Sequence, residues 1–400
     1  MKTGTGSGRL ARRGAALAAV LALGPMTGMA DPLGSPANGE AAVRTLPAPP
    51  ADGVMGFVVN SLAPTVIPGM DACPQGTVPR LRDAYLETLP AEERSRLKLK
   101  ENVRELESRW QGYAFGPGGT NICSQPEMFE RPLLRTVQSP YGIGLNLDRD
   151  AGDANVCAHE NFTSPTGEKG IDNQEYRAMG CTLEWRGADG TSGDIVRGSK
   201  AFHTSGEWTQ VLLLRRVDSL LNDSDVEVIY ANTSDRPTID TQGNFLAGVS
   251  FTIDDTPPRY RNVLRGRIVD GVLTTLPSDI VLAQTWGQGG ARDIRGTRTK
   301  FELREGRLRL AFQPDGSLRG LVGGYKPIAD VYQAMALGGS GTAIVAGIDC
   351  AAYHTTLKKL ADGIRDPKTG QCTGVSSAEQ LSAIPAFIND VRTGQRTAAR

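Results

Sequence analysis

The stretch FELREGRLRLAFQPDGSLRGLVGGY, residues 301–325, constrains the fold more than any other part of the chain. Leu308, Leu310 and Phe312 alternate with Arg307, Arg309 and Ala311, the period-two pattern of a strand with one buried face. Glu305-Gly306 and Pro314-Asp315-Gly316 read as its turns. Upstream, RIVDGVLTT sets Asp270-Gly271 between two β-branched runs. Both residues tolerate positive φ, so the spacing predicts a two-residue hairpin. Residues 210–217, 226–230, 245–253, 267–276 and 280–286 carry further strand signals. Strands in turn-separated succession predict an antiparallel β-sandwich or jelly-roll-like domain over 131–330, at the centre of a mainly β chain with helical flanks (α+β).

The flanks read as helical. Across 53–130, charged residues interleave with Leu89, Leu97, Leu99, Val103, Leu106 and Trp110. Pro90 opens a helix, with Glu92 and Glu93 in its first turn, where acids suit the dipole. The region 331–400 also reads as helical: a charge-free, Ala- and Gly-rich segment over 331–348, then two short helices over 355–387.

Residues 1–30 have the form of an export signal: a basic head (Lys2, Arg9, Arg12, Arg13), the apolar run 15–23, and a Gly28-Met29-Ala30 cleavage site. The apolar run is shorter than the roughly 20 residues that span a bilayer, so no membrane span is expected once the signal is removed. A Pro-, Gly- and Ala-rich linker over 31–52 follows. The chain has 44 basic and 44 acidic residues, and the signal holds four basic residues and no acid, leaving 40 against 44, or −4. With no long basic run, nucleic acid and anionic lipid are excluded as expected partners. These features predict a periplasmic or secreted protein with an envelope or extracellular ligand.

All six cysteines, Cys73, Cys123, Cys157, Cys181, Cys350 and Cys372, fall after the signal. An even count in an exported chain reads as disulfides. Sequence admits 15 pairings; grouping along the chain favours Cys73–Cys123, Cys157–Cys181 and Cys350–Cys372.

Several chemistries are absent. There is no CxxCH, HExxH, CxxC, GxSxG or Walker A motif, which argues against haem, nucleotide, zinc protease and serine hydrolase readings. The glycine-rich 338–342 lacks the lysine of a phosphate loop. His159, His203 and His354 are scattered, which favours structural roles for each.

Two constellations could carry chemistry. Asn146, Asp148, Asp150 and Asp153 precede Cys157, and Asp172 and Asn173 precede Cys181. Oxygen ligands in a glycine-containing loop suit Ca²⁺, although His159 stands where an EF-hand loop has its twelfth-position Glu. The competing reading is a solvated, disulfide-tied loop. In NDSDVEVIY, Asp223, Asp225 and Glu227 share one strand face opposite Val226 and Val228. Crowded carboxylates can act as an acid–base pair in glycoside hydrolysis; an exposed strand face is the plainer alternative. Trp185, Trp208 and Trp286 could form sugar platforms or pack in the core.

Through CAHENFTSPTGEKGIDNQEYRAMGC, with RIVDGVLTT and ADGIRDPKTGQC, the chain resembles a group of uncharacterised exported bacterial proteins. The resemblance covers most of the chain after the signal. It implies an envelope location and brings no activity, cofactor or catalytic residue with it. The expectation is therefore an exported binding or structural protein, Ca²⁺-stabilised if the loop binds metal, with a glycan hydrolase using Asp223, Asp225 and Glu227 as the alternative.

Overall fold

The computed structural model describes residues 46–148, 156–193, 195, 203–204, 206, 209–254, 260–285, 298–337 and 347–391. The expected signal, the linker up to residue 45, Asp150, Asp153, Trp208, Trp286 and the glycine-rich 338–342 lie outside them. In chain order the strands are β1 (Met55–Pro64), β2 (Phe162–Thr163), β3 (Lys169–Ile171), β4 (Gln210–Arg215), β5 (Asp223–Asn232), β6 (Ser250–Thr252) and β7 (Arg261–Val269). They continue as β8 (Val272–Thr275), β9 (Ser278–Thr285), β10 (Arg298–Phe312), β11 (Leu318–Pro327), β12 (Gly363–Arg365), β13 (Cys372–Pro385) and β14 (Phe387–Asn389).

Eight of these close on themselves. The order is β1-β4-β5-β7-β8-β10-β11-β13, all antiparallel, and β13 pairs back onto β1 from Phe57↔Pro385 to Pro64↔Glu379. Sheet neighbours follow one another along the chain, so this is an up-and-down barrel, not the expected sandwich or jelly roll. The reason lies in two strands expected to be helical flank. β1 comes from 53–130 and β13 from 331–400, and their pairing removes both free edges that an open sheet would leave.

Alternating side chains fill the interior. Phe57, Val59, Leu62, Leu212, Val228, Tyr230, Leu264, Leu310, Phe312, Val322 and Leu381 form one buried cluster. Eight strands enclose a space just wide enough for such side chains, and each large one contributes about 1.5–3 kcal/mol by leaving water. Outside the barrel, Val58, Val211, Leu213, Ile229 and Ala231 pack beneath the parallel β6–β14 pair.

The expected turns form at Asp270-Gly271, where φ is 50° and 77°, and at 314–316, where Gly316 has φ 80°. Glu305-Gly306 is instead a bulge within β10: Glu305 takes φ 52° and the register against β11 shifts between Arg304 and Arg307. There β10 changes partner, from β9 on its N-terminal half to β8 on its C-terminal half. The opposite edge of β9 is joined by side chains. Asn232 donates to the Ala283 carbonyl (3.2 Å) and accepts from its N–H (2.7 Å). Asn262 does the same at Val281, at 2.9 and 2.8 Å. Two amides thus replace a strand ladder.

Past β1, the first flank holds three α-helices: Leu81–Glu87, Ala91–Leu97 and Val103–Ala114. Their contact is made by Leu86, Leu97 and Leu106. Helices Gln174–Met179, Leu183–Arg186, Ile328–Tyr332 and Cys350–Lys359 share a second core with Tyr176, Trp185, Tyr332 and Tyr353. Among the described residues no helix is long and apolar enough to cross a membrane.

Three disulfides are present, with none of the sequential pairings. Cys73 bonds Cys181, Cys123 bonds Cys350, and Cys157 bonds Cys372, at sequence separations of 108, 227 and 215. Spacing misleads because barrel closure brings the two flanks together. Loops this long place each bond at the upper end of the roughly 3–5 kcal/mol range of the chain-entropy model. The bonds fit an oxidising, non-cytoplasmic compartment.

The asparagine bridges can be tested directly. Asn262→Ala leaves the amide and carbonyl of Val281 without partners, and is expected to destabilise the protein by about 1–3 kcal/mol in urea unfolding. A loss below about 0.5 kcal/mol would show that β9 does not depend on them.

Candidate functional site

Two polar clusters stand out, one on the outside of the barrel and one at its end. The outer cluster is built around His159. Residues 156–161 run past β12, held by the Cys157–Cys372 bond and by Cys157 N–H donating to the Asp362 carbonyl at 2.8 Å. His159 Nδ1 lies 2.8 Å from the Cys157 carbonyl oxygen. A carbonyl only accepts, so Nδ1 carries a proton and Nε2 faces the cluster. Nε2 lies 2.8 Å from Asp172 Oδ1 and 3.7 Å from Asp362 Oδ2.

Each carboxylate is anchored by backbone. Asp172 follows β3, and its Oδ2 accepts from Leu147 N–H (2.6 Å) and Asp148 N–H (3.3 Å). Asn161 Nδ2 donates to its Oδ1 at 3.1 Å. Asp362 Oδ1 accepts from Ser376 N–H at 2.7 Å, while its Oδ2 has no hydrogen-bond partner. Asp148 completes the set: one ligand atom each from Asp148, His159 and Asp172 lie within 4.8 Å of one another. Asp172 and Asp362 are fully buried.

The Tyr325 hydroxyl, on a ring 1% exposed, also lacks a partner. Burial pushes its pKa up, and the charges of Asp362, Asp172 and Asp148 push it further. Gly363 lies against that ring: a Cβ there would come within 2.2 Å of Tyr325 Cδ1.

Burial alone would lower the His159 pKa. The hydrogen bonds to Asp172 and the Cys157 carbonyl, with the charges of Asp362 and Asp172, outweigh it and raise the group to about 9. Burial pushes Asp362 up to about 6, against the Ser376 hydrogen bonds and His159. Burial and neighbouring Asp172 raise Asp148. One imidazole and three carboxylates can trap a proton, hold a cation, or serve as a buried ionic tie.

The second cluster lies at the barrel end, beneath the helical core. Lys326, on β11, donates to Glu379 Oε1 at 2.8 Å and Glu175 Oε2 at 3.0 Å. Burial would lower the Lys326 pKa, but the two carboxylates raise it above the ordinary lysine value. Burial raises Glu379. Ser377 also hydrogen-bonds Glu175. These groups border a cavity of about 60 Å³ walled by Leu62, Met179, Trp185, Phe301, Met335 and Tyr353. Lys300, Glu302 and Asp330 line it as well, with Lys300 paired to both acids.

The other expected site residues lie elsewhere. Asn173 caps helix Gln174–Met179 by accepting from Tyr176 N–H at 3.1 Å, and donates to Thr65 Oγ1 and the Ile143 carbonyl. Asn146 Oδ1 is buried without a hydrogen-bond partner. Asp150 and Asp153 fall outside the described residues. Val226 and Val228 point into the barrel as expected. Asp225 is exposed and paired with Arg216 (3.0 Å) and Arg265 (3.4 Å), and Glu227 lies 3.6 Å from Arg215. Asp223 accepts from Asp218 N–H at 2.7 Å, which makes it a turn cap. None of the three lines either cavity found among the described residues. Trp185 is a core residue, 3% exposed. His203 is buried apart from His159, and His354 packs edge-on against Tyr332.

Sequence reasoning missed Asp362, Tyr325, Lys326, Glu175 and Glu379. The DG of ADGIRD and the odd His159 of the acidic loop were the available signals. Comparison with protein-family models, with curated proteins and with solved structures finds no match. Fold and site thus define a disulfide-bonded, eight-stranded barrel protein with a helical cap, a class and not an activity.

The outer cluster makes stability pH-dependent. His159 has a folded pKa of about 9 against an ordinary 6.5, so its contribution is complete below 6.5 and lost as pH rises through 9. Asp362, at about 6 against 3.8, is costless below 3.8 and adds its full penalty above 6. In chelator-treated protein the denaturation midpoint is expected to fall between pH 4 and 6 and again between 6.5 and 9. His159→Gln is expected to remove the second fall; a wild-type profile flat above pH 6.5 would rule out an ionised His159.

Proposed function

We propose that this chain is a non-catalytic binding protein of the periplasm or cell exterior. Its ligand is a small apolar or cationic molecule taken at the barrel end beneath the helical cap. The observation that carries this reading is the cavity beside Lys326, where apolar walls meet a few converging charges. The barrel below is filled by its own side chains, so its interior leaves no room for the ligand. About 60 Å³ suits a few heavy atoms, far below the 300–1,000 Å³ of a drug-sized site. Met179 and Met335 in the wall are side chains that re-pack readily around a guest. Glu175, Glu302, Asp330 and Glu379 outnumber Lys300 and Lys326, which favours a cationic or neutral guest over an anion.

The glycan-hydrolase alternative gains no support. Its acid–base pair needs two carboxylates about 5–9.5 Å apart across a sugar-sized cleft. Asp225 and Glu227 instead meet arginines of neighbouring strands on the outer face.

The test is a panel of short alkylamines, their neutral analogues and the matching carboxylates. It is read by melting temperature and by the fluorescence of Trp185, which lines the cavity. An amine or neutral compound is expected to raise the melting temperature of the wild type and not of Ala334→Leu, which narrows the cavity. No response from any compound, or an equal response in Ala334→Leu, overturns the reading.

A further inference from the structure

The outer cluster carries a second inference, independent of the barrel-end cavity. Three acids around one histidine would not by themselves make a site. Three further observations concern what each group does with its two polar atoms.

First, His159, Asp172 and Asp362 each hold one polar atom against the backbone and bring the other to the cluster. His159 fixes Nδ1 on the Cys157 carbonyl and presents Nε2. Asp172 fixes Oδ2 on two backbone N–H groups and brings Oδ1, which also accepts from Asn161 Nδ2, to His159. Asp362 fixes Oδ1 on Ser376 N–H and presents Oδ2. A histidine that ligates a metal characteristically donates its other N–H to a carbonyl or carboxylate, and ligating carboxylates are themselves hydrogen-bonded.

Second, the spacing suits an ion. Ligands at about 2.0–2.2 Å from one divalent ion sit roughly 3–3.5 Å from each other. Here the separations from Nε2 are 2.8 Å to Asp172 and 3.7 Å to Asp362, on either side of that value. A proton on Nε2 satisfies Asp172 and leaves Asp362 Oδ2 beyond hydrogen-bond reach.

Third, one carboxylate oxygen faces the cluster without a hydrogen-bond partner among the described residues. Asp362 Oδ2 is buried and lies 3.7 Å from His159 Nε2. Burying a polar group unpaired costs about 1–3 kcal/mol, so this oxygen calls for a ligand.

We propose that His159, Asp172, Asp362 and Asp148 bind one divalent transition-metal ion of the zinc or manganese kind. An imidazole nitrogen among carboxylates suits these ions, whereas Ca²⁺ takes six to eight oxygens. Of the oxygen ligands expected from sequence, Asn173 is engaged in its helix cap, and Asp150 and Asp153 lie outside the described residues. The ion would join three chain segments that also meet at the Cys157–Cys372 bond. Four protein ligands, two of them fully buried, would make the site a structural tie and not an open catalytic centre.

The experiment uses disulfide-intact, tag-free protein stripped with chelator and titrated calorimetrically with Zn²⁺, Mn²⁺ and Ca²⁺. One Zn²⁺ or Mn²⁺ per chain is expected, without competition from millimolar Ca²⁺. His159→Gln is expected to weaken binding by about 100-fold or more. Asp148→Asn, at the half-exposed edge of the cluster, provides a second variant if His159→Gln does not fold. In the wild type, Co²⁺ is expected to give visible d–d absorption that Zn²⁺ abolishes. No stoichiometric binding of Zn²⁺, Mn²⁺ or Co²⁺ overturns the proposal; so do Ca²⁺ binding in preference and affinity unchanged in the folded variants.

Discussion

The pairing of β1 with β13 is the contact on which the rest depends. It joins the first and last long strands, and without it the eight strands form an open sheet with β1 and β13 at its edges. Closure creates the inside on which Phe57, Phe312 and Leu381 pack. It also carries the two flanks to one end of the barrel, where their helices share a core and two of the disulfides. Lys326 and Glu379 lie on adjacent strands β11 and β13, and their ion pair sits at this same end of the barrel.

The buried charges follow a common plan. Lys326 sits between two carboxylates and His159 lies beside two. Removing one member of such a group leaves an uncompensated charge and costs about 3–5 kcal/mol. Their net contribution to stability is small, but they fix which segments meet. The His159 group selects the position of the 156–172 loop against β12, and the Lys326 group selects that of helix Gln174–Met179 against β13. The arginine pairs of Asp225 are exposed and contribute little.

What the sequence disclosed was local. Asp270-Gly271 and the 314–316 turn were legible because positive φ is a property of the residues themselves. Leu308, Leu310 and Phe312 announced their buried face by alternation. β13 was not legible: CTGVSSAEQLSAIP is rich in serine and carries Glu379 and Gln380. It is a strand because β11 and β1 clamp it on both sides. Glu305-Gly306 has the chemistry of a turn, and the change of partner along β10 converts it to a bulge. Half of the outer cluster, Asp148 and Asp172, was visible as an acidic loop. Asp362 and Tyr325 were not, because they reach it only through β12 and β11.

The disulfide pattern has a consequence for how the chain matures. As the chain is made, its cysteines emerge in sequence order, and Cys73 meets Cys123 long before Cys181 appears. Bonds formed first come, first served would all be wrong, since Cys123 waits 227 residues for its partner and Cys157 waits 215. Strand β1 likewise has no barrel to join until β13 has emerged. The protein cannot fold from its N-terminus as it arrives. It needs a period as a reduced, unfolded chain, or an isomerase that undoes early errors on the timescale of seconds to hours typical of thiol exchange. Its yield in a cell is thus set by oxidative proofreading as much as by the stability of the finished barrel.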